Sequence, residues 1–146
     1  MRLSGVAGLA LVAMLGTGAF AQETSFAYIN KLDDNAWFVN EVAGAQDEAA
    51  KLGVTLTHQG VQSDSNKAMN ALETAIAAGV KGVIIVVPDQ AIGPAVLKRT
   101  KEAGIPVIAV DDGILDEAGA PAPFVGFEAK AIGTQVGDTI VGFHKS

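Results

Sequence analysis

The sequence predicts an α/β fold of three layers, α/β/α, in which a mostly parallel sheet lies between helices. Short segments rich in β-branched residues alternate with longer segments whose apolar residues recur at helical spacing. One short segment, GVIIVVP at 82–88, is a continuous apolar run, which is typical of a strand covered on both faces. Strand–helix alternation implies parallel pairing through right-handed crossovers, so helices are expected on both faces of the sheet.

Five strands and four helices are predicted along the chain. The strands are expected at 25–31, 54–60, 82–88, 106–111 and 124–127. The helices are expected at 37–53, 65–80, 93–104 and 129–145. Gly53, Gly79 and Gly104 are suited to end the first three helices, since glycine readily adopts the left-handed conformation found there. Ser65 is expected to cap the second helix, and Pro94 fits the first turn of the third.

Residues 1–21 predict a secretory signal peptide rather than part of the fold. Arg2 precedes an uncharged run of Ala, Gly, Leu and Val, and Ala19-Phe20-Ala21 forms a small-residue cleavage site. An uncleaved membrane anchor is the alternative, but the well-formed cleavage site favours removal after Ala21. The mature chain is then expected to begin at Gln22 in the periplasm or an equivalent outside compartment.

The composition argues against several classes of protein. A formal net charge of −6 disfavours a nucleic acid partner, because phosphates require basic surfaces. The chain has no cysteine, and its two histidines, His58 and His144, are unconnected in sequence, so no structural zinc site is expected. No Gly-x-Ser-x-Gly segment or phosphate-binding glycine loop occurs. We therefore expect no cofactor and no catalytic activity.

Polar residues gather where the predicted strands end. Lys31 ends the first predicted strand, Trp37 lies six residues further on, and Asp111 and Asp112 stand at the end of the fourth. In open parallel sheets, ligands bind beyond the carboxyl ends of the strands. Two carboxylates there could accept hydrogen bonds from hydroxyls or hold a metal ion. An exposed tryptophan could stack on the C–H face of a sugar ring.

Each of these residues also has a simpler interpretation. Asp before Gly is common in turns, so Asp111 and Asp112 could do no more than shape a loop before Gly113. Lys31 could be an ordinary solvated surface lysine. Trp37 could be a packing residue at the start of a helix. Their shared location at one edge of the sheet favours a ligand site.

Three segments resemble the first lobe of the type I periplasmic sugar-binding proteins. They are YINKLDDNAWF at 28–38, AIAAGVKGVIIVVPDQAIGPAV at 75–96 and AGIPVIAVDDG at 103–113, and the similarity extends over residues 25–144. The resemblance implies a two-lobed clamp that closes on a monosaccharide, L-arabinose or a related sugar. It also implies a monomer that delivers the sugar to an ABC permease in the inner membrane.

The resemblance also implies roles for individual residues. Lys31 would hydrogen-bond the ring oxygen or a hydroxyl of the sugar, Trp37 would stack on the sugar face, and Asp111 and Asp112 would accept hydrogen bonds from its hydroxyls. Asn35 stands where arabinose-binding members of the family have a glutamate ligand. Gly126 stands where they have a methionine near the sugar. These two differences leave open a larger or differently substituted pentose or hexose.

Residues 22–146 are expected to form only the first lobe of such a protein, as a truncated chain without the second lobe. Half a clamp leaves its ligand exposed to water, where each net hydrogen bond contributes only about 1 kcal/mol. We therefore expect millimolar or undetectable sugar binding. The alternative is a flavodoxin-like domain for Mg²⁺-dependent phosphoryl transfer or signalling, in which Asp89 would supply a third carboxylate beside Asp111 and Asp112.

Overall fold

The computed structural model describes residues 24–145 and shows alternating strands and helices. The predicted signal peptide at 1–21 lies outside the described residues. The strands are β1 (Ser25–Asn30), β2 (Thr55–Gly60), β3 (Val83–Ile85), β4 (Val107–Val110) and β5 (Phe124–Val125). The helices are α1 (Ala36–Leu52), α2 (Ser65–Ala77), α3 (Gly93–Ala103) and α4 (Ala129–Lys145), with a 3₁₀ turn at Gln90–Ile92 before α3.

The five strands form one parallel sheet in the order β2-β1-β3-β4-β5. The chain places β2 on one side of β1 and β3 on the other, so the carboxyl ends of β1, β3 and β4 reach the same edge. The predicted α/β fold with a parallel sheet is confirmed. The loops that follow β1 and β4 therefore meet at one edge of the sheet, which is where open parallel sheets bind their ligands.

Two apolar cores hold the sheet, one on each face. The larger core joins β1, β3 and β4 to α2 and α3, and its most buried members include Ile29, Leu72 and Ile85. The smaller core joins Tyr28 of β1 to Val42 of α1. Successive residues of a strand point to opposite faces, so neighbouring residues of β1 contribute to different cores. Helix α1 therefore packs on the face of the sheet opposite α2 and α3.

The helix ends follow the predicted chemistry with one exception. Gly53 and Gly104 adopt left-handed backbone conformations, with φ of 66° and 68°, directly after α1 and α3. The cap of α2 is Asp64, whose carboxylate accepts the backbone N–H groups of Asn66 and Lys67 at 2.8 and 3.0 Å. The prediction of Ser65 as this cap was wrong, because the extended backbone required of a cap residue occurs one position earlier.

Strand β3 is shorter than its apolar run predicts. The ladder covers Val83–Ile85, while Val86 and Val87 continue as buried chain outside the strand. The Val86 N–H still donates to the Ile29 carbonyl at 2.9 Å, so the run stays attached to β1. The run remains apolar beyond the end of β3 because Val86 and Val87 are still buried.

Helix α4 spans the predicted residues but is exposed along its described length. Ile108 of β4 remains 41% exposed, on the strand face that alternates with the buried Val107 and Ala109. Helix α1 therefore covers only part of that face of the sheet. Within residues 24–145, no helix is long and apolar enough to cross a membrane.

Candidate functional site

The loop between β1 and α1 is held by a buried asparagine. Asn30 is 1% exposed, and its side-chain amide donates to the backbone carbonyls of Leu32 at 3.1 Å and Phe38 at 3.4 Å. These two bonds tie the start of the loop to the first turn of α1. Lys31, which directly follows Asn30, is thereby held at the edge of the sheet.

Asn35 directly precedes α1, and its side chain caps the helix and also lines a cleft. Its Oδ1 accepts the backbone N–H of Trp37 at 2.9 Å, which makes Asn35 the cap of the helix. Asn35 also lines the cleft beside Trp37 and Asp111. Because capping uses only Oδ1, the side-chain NH₂ group of Asn35 remains able to donate. The cap fixes the first turn of the helix and so sets the position from which the Trp37 ring projects.

The chain after β4 turns sharply at Asp111. This residue adopts a left-handed backbone conformation with φ of 59°, which aspartate tolerates better than most residues. Its N–H donates to the Val125 carbonyl at 3.0 Å, and the Asp112 N–H donates to the Val110 carbonyl at 2.6 Å. The turn directs the two consecutive carboxylates into the space beyond the strand ends.

The structure brings four of the predicted site residues together in two pairs. Lys31 Nζ forms an ion pair with the Asp112 carboxylate, with side chains that are 22% and 35% exposed. Trp37 Nε1 donates to Asp111 Oδ2 at 2.7 Å. Each carboxylate keeps lone pairs for further donors. A ligand at this edge would therefore meet a cation, two carboxylates and an indole ring within one continuous surface.

An open cleft of about 980 Å³ lies beside these pairs. Its lining combines carboxylate and amide side chains with aromatic rings and apolar residues, a mixture typical of sites for small polar ligands. Its lining includes Asn35, Trp37, Gln90, Asp111, Asp112 and Phe127. Lys31 is not among the lining residues and contacts the site through its ion pair with Asp112.

The cleft has an aromatic wall. Trp37 is 54% exposed, and its ring meets the Phe127 ring edge-on, with centroids 6.0 Å apart and an interplanar angle of 84°. Phe38 also lines the cleft, although it packs against the smaller core as well. Exposed aromatic faces next to carboxylates can hold a ring with apolar C–H faces and hydroxyl edges.

The cleft includes residues that the sequence interpretation did not select. Phe127, rather than the predicted Gly126, lines it, and a side chain at position 126 would collide with the Phe124 ring, 2.3 Å from a Cβ built there. Gln90 begins the 3₁₀ turn that follows β3 and donates through Nε2 to the Gly113 carbonyl at 2.9 Å. In the sequence, Gln90 could have been selected because it directly follows Pro88-Asp89, at the end of the predicted third strand.

A third carboxyl group lies behind the cleft on α1. Tyr28 Oη donates to Glu41 Oε2 at 3.3 Å. Burial and the neighbouring Asp111 raise the pKa of Glu41 to about 7. Burial, together with Glu41, also raises the pKa of the Tyr28 hydroxyl above its usual value.

The three-carboxylate arrangement required by the phosphoryl-transfer alternative does not form. The Asp89 carboxylate accepts the Ala91 backbone N–H at 2.9 Å and caps the 3₁₀ turn. Among the described residues, no group of three or more His, Asp or Glu side chains is arranged to hold a metal ion. Nothing in this edge of the sheet supports the alternative.

Comparison with known proteins identifies relatives of one kind. Residues 26–146 match the family described as periplasmic binding protein domain. The ABC transporter L-arabinose-binding periplasmic protein of Azospirillum brasilense is 30% identical over 135 residues, which cover 90% of this chain and 40% of the relative. The ribose import binding protein of Escherichia coli is 35% identical over 107 residues, covering 73% of this chain and 36% of the relative.

A solved structure agrees with these relatives. The ABC transporter solute binding protein from Mycobacterium smegmatis with bound glycerol superposes with a TM-score of 0.68 at 27% identity. The match covers 76% of this chain and 38% of that protein. The chain thus spans about 40% of the length of the curated L-arabinose-binding relatives it matches.

Proposed function

Because the chain belongs to the periplasmic binding protein family, we propose that it supplies the sugar-binding component of an ABC importer and catalyses no reaction. The observation that carries this proposal is the pairing of Lys31 with Asp112 and of Trp37 with Asp111 beside an open cleft. The first pair offers a cation and an acceptor to sugar hydroxyls. The second offers an acceptor next to a ring on which a sugar can stack.

The proposed ligand is a monosaccharide, either L-arabinose or a related pentose or hexose. Relatives named for L-arabinose and ribose support this chemical class. The amide of Asn35 can both donate and accept, so it suits hydroxyls in more than one configuration. Gly126 brings no side chain to the cleft, and Phe127 supplies the apolar contact instead. This combination favours a ring with one apolar face.

The proposed setting follows from the same family. Residues 22–146 would form the first lobe of a two-lobed receptor, and residues 1–21 would direct its export to the periplasm. The receptor would act as a monomer and pass its sugar to a permease in the inner membrane. The family match over residues 26–146 and the periplasmic relatives support this setting.

Tryptophan fluorescence tests the proposal directly, since Trp37 is the only tryptophan of the chain. L-arabinose, D-ribose, D-galactose, D-xylose and D-fucose would each be titrated into the folded chain. We expect a saturable change with one or more sugars at a Kd on the order of 1 mM, equivalent to about 4 kcal/mol. Such a value fits a site that covers one face of its ligand.

Two variants of the same chain make the result specific. Asp112→Asn removes the charge partner of Lys31 and should weaken the sugar response at least tenfold, or about 1.4 kcal/mol. Glu117→Gln removes an exposed carboxylate outside the cleft lining and should leave the response unchanged. A folded chain that gives no saturable response to any of the five sugars, both alone and after the second lobe of a related sugar binder is appended, would contradict the proposed function.

A further inference from the structure

A second cavity, of about 560 Å³, lies at the carboxyl ends of β1 and β2. Its polar lining includes Asn30, Asp33 and His58, and Val39 and Val42 of α1 form an apolar wall. Among residues 24–145, none that lines this cavity also lines the cleft proposed for the sugar. The cavity is therefore a separate candidate site, and what it binds does not depend on what the cleft binds.

The register of β1 and β2 brings the polar groups of this cavity together. Asn30 pairs with Gly60, and Tyr28 pairs with His58 two positions earlier. Side chains two positions apart on a strand point to the same face, so His58 shares a face with Asn30. The β1–α1 loop then lays the Asp33 carboxylate over Gly60, where an added Cβ would be 1.9 Å from Asp33 Oδ1. Because Gly60 has no side chain, the Asp33 carboxylate can lie next to His58.

The distance between these two side chains is typical of ligands that share a metal ion. His58 Nε2 lies 3.4 Å from Asp33 Oδ1. A direct charge-assisted hydrogen bond between such groups is only about 2.7–2.9 Å long. Two ligands of a tetrahedral Zn²⁺, each about 2.0–2.2 Å from the ion, are separated by about 3.4 Å. The observed separation therefore fits an ion held by both side chains better than a proton shared between them.

The Asp33 carboxylate is oriented by a further contact. Gln62 Nε2 donates to Asp33 Oδ2 at 3.3 Å, so Oδ1 is the oxygen left facing His58. Hydrogen bonds of this kind orient the carboxylate ligands of metal ions. The side chains of His58 and Asp33 are 25% and 47% exposed, so an ion can reach them from solvent.

Asn30 adds an acceptor to the same cavity. Its Nδ2 donates to the carbonyls of Leu32 and Phe38, and these two acceptors fix which end of the amide is the oxygen. Its Oδ1 is buried and accepts no hydrogen bond from the described residues. A buried acceptor without a donor costs free energy. A cation in the cavity, or a water molecule carried by that cation, would offset this cost.

We propose that His58 Nε2 and Asp33 Oδ1 bind a divalent transition-metal ion, for which Zn²⁺ is the best match. Zn²⁺ accepts imidazole nitrogen together with carboxylate oxygen, whereas Ca²⁺ and Mg²⁺ prefer a full shell of oxygen ligands. Water completes the coordination. Two side chains supply half the ligands of a structural zinc site, so we expect a Kd on the order of 10 µM. The bound ion joins the β1–α1 loop to β2.

Calorimetric titration of the untagged full chain with Zn²⁺ tests this site. We expect one ion per chain with saturable heat. Asp33→Asn and His58→Asn should each weaken Zn²⁺ binding by at least about tenfold, because each removes one of the two ligands. His144→Asn removes the other histidine of the chain and should leave the Kd unchanged. Circular dichroism checks that each variant is folded.

A glycine pair tests the geometry without removing a ligand. Gly60→Ala places a methyl group where the Asp33 carboxylate lies, so it should weaken Zn²⁺ binding by about tenfold. The φ angle of Gly60 is not positive, so alanine is compatible with its backbone. Gly44→Ala is the matched control, because a Cβ at this position of α1 meets nothing within 4 Å. Its Kd for Zn²⁺ should equal that of the wild type.

Weaker binding in the Asp33, His58 and Gly60 variants, with both controls unchanged, would support the proposal. Folded wild type that shows no saturable binding of Zn²⁺ would overturn it. So would an unchanged Kd in folded Asp33→Asn or His58→Asn, or in Gly60→Ala. Loss of binding in His144→Asn would place the ion elsewhere and would also overturn the proposal. Ca²⁺ is titrated in parallel, and a Kd equal to that for Zn²⁺ would mean that the negative charge of the chain, rather than this ligand pair, attracts the ion.

Discussion

Asp111 is the residue at which backbone geometry and side-chain chemistry meet in this site. Its left-handed backbone follows β4, and its carboxylate accepts the indole N–H of Trp37. Asp112 then points its carboxylate to Lys31 on the neighbouring loop. The turn after β4 therefore places one carboxylate against Trp37 of α1 and the next against Lys31 of the β1–α1 loop.

The backbone of Asp111 gives a prediction about stability. Alanine has a Cβ that disfavours the left-handed region, whereas glycine does not, so Asp111→Ala should be less stable than Asp111→Gly by about 1 kcal/mol. Urea denaturation of both variants measures the difference. Asp112, which is not left-handed, is the control: there Ala should be at least as stable as Gly. The same order at both positions would contradict this account of the turn.

Glu41 gives a prediction about pH and stability. Its pKa is raised from 4.5 to about 7 on folding, so the folded chain binds more protons than the unfolded chain between these values. The contribution of protonated Glu41 is complete below about pH 4.5 and is lost as the pH rises through about 7. The free energy of unfolding of wild type should therefore fall relative to Glu41→Gln across this range. A constant difference would contradict the raised pKa.

The sequence predicts the site residues at the strand ends, but it does not predict Glu41, which lies behind them. Lys31, Asp111 and Asp112 are polar residues at the ends of apolar strands, and the parallel topology brings such ends together. Glu41 lies inside an amphipathic helix, where a glutamate is typical of a solvated face. Its burial depends on the distance between α1 and the β4 turn, which only the folded chain specifies.

At the level of secondary-structure elements, the end of a helix is predictable where its backbone conformation is one that mainly glycine tolerates. Gly53 and Gly104 end α1 and α3 as expected, because few other residues tolerate their backbone angles. The start of α2 has three adjacent candidates in Ser63, Asp64 and Ser65, and pattern alone does not separate them. The left-handed backbone of Ser63 makes Asp64 the first residue with cap geometry.

This start of α2 can be tested by a pair of alanine variants. Asp64→Ala leaves two backbone N–H groups without their acceptor and should lower the free energy of unfolding by about 1 kcal/mol. Ser65→Ala changes a residue already inside the helix and should have an effect near zero. Chemical denaturation of both variants gives the comparison. The opposite order would restore Ser65 as the cap.

At the scale of the whole molecule, the two cores are unequal and leave one region uncovered. The larger core unites the sheet with α2 and α3, whereas the side chains of β5 and α4 are exposed throughout their described length. The sequence predicted α4 from its periodicity, which shows that a helix has an apolar face. It does not show what covers that face, because this depends on long-range packing.

Unequal packing predicts unequal protection from hydrogen exchange. Amides of β1 and β3 should exchange only through global unfolding, since both strands are paired on each side and buried between the cores. Amides of α4 should exchange faster by at least two orders of magnitude, because few apolar contacts oppose its local opening. Exchange measured by mass spectrometry checks this. Equal protection in both regions would show that α4 is packed in solution.

The edge formed by Lys31, Trp37, Asp111 and Asp112 is the proposed monosaccharide site. A titration of the isotope-labelled full chain with L-arabinose, followed by amide chemical shifts, tests it most directly. We predict saturable shifts at 31–37 and 111–113 with a Kd on the order of 1 mM, and their loss in Asp112→Asn. Shifts that saturate only elsewhere on a folded chain would contradict this assignment.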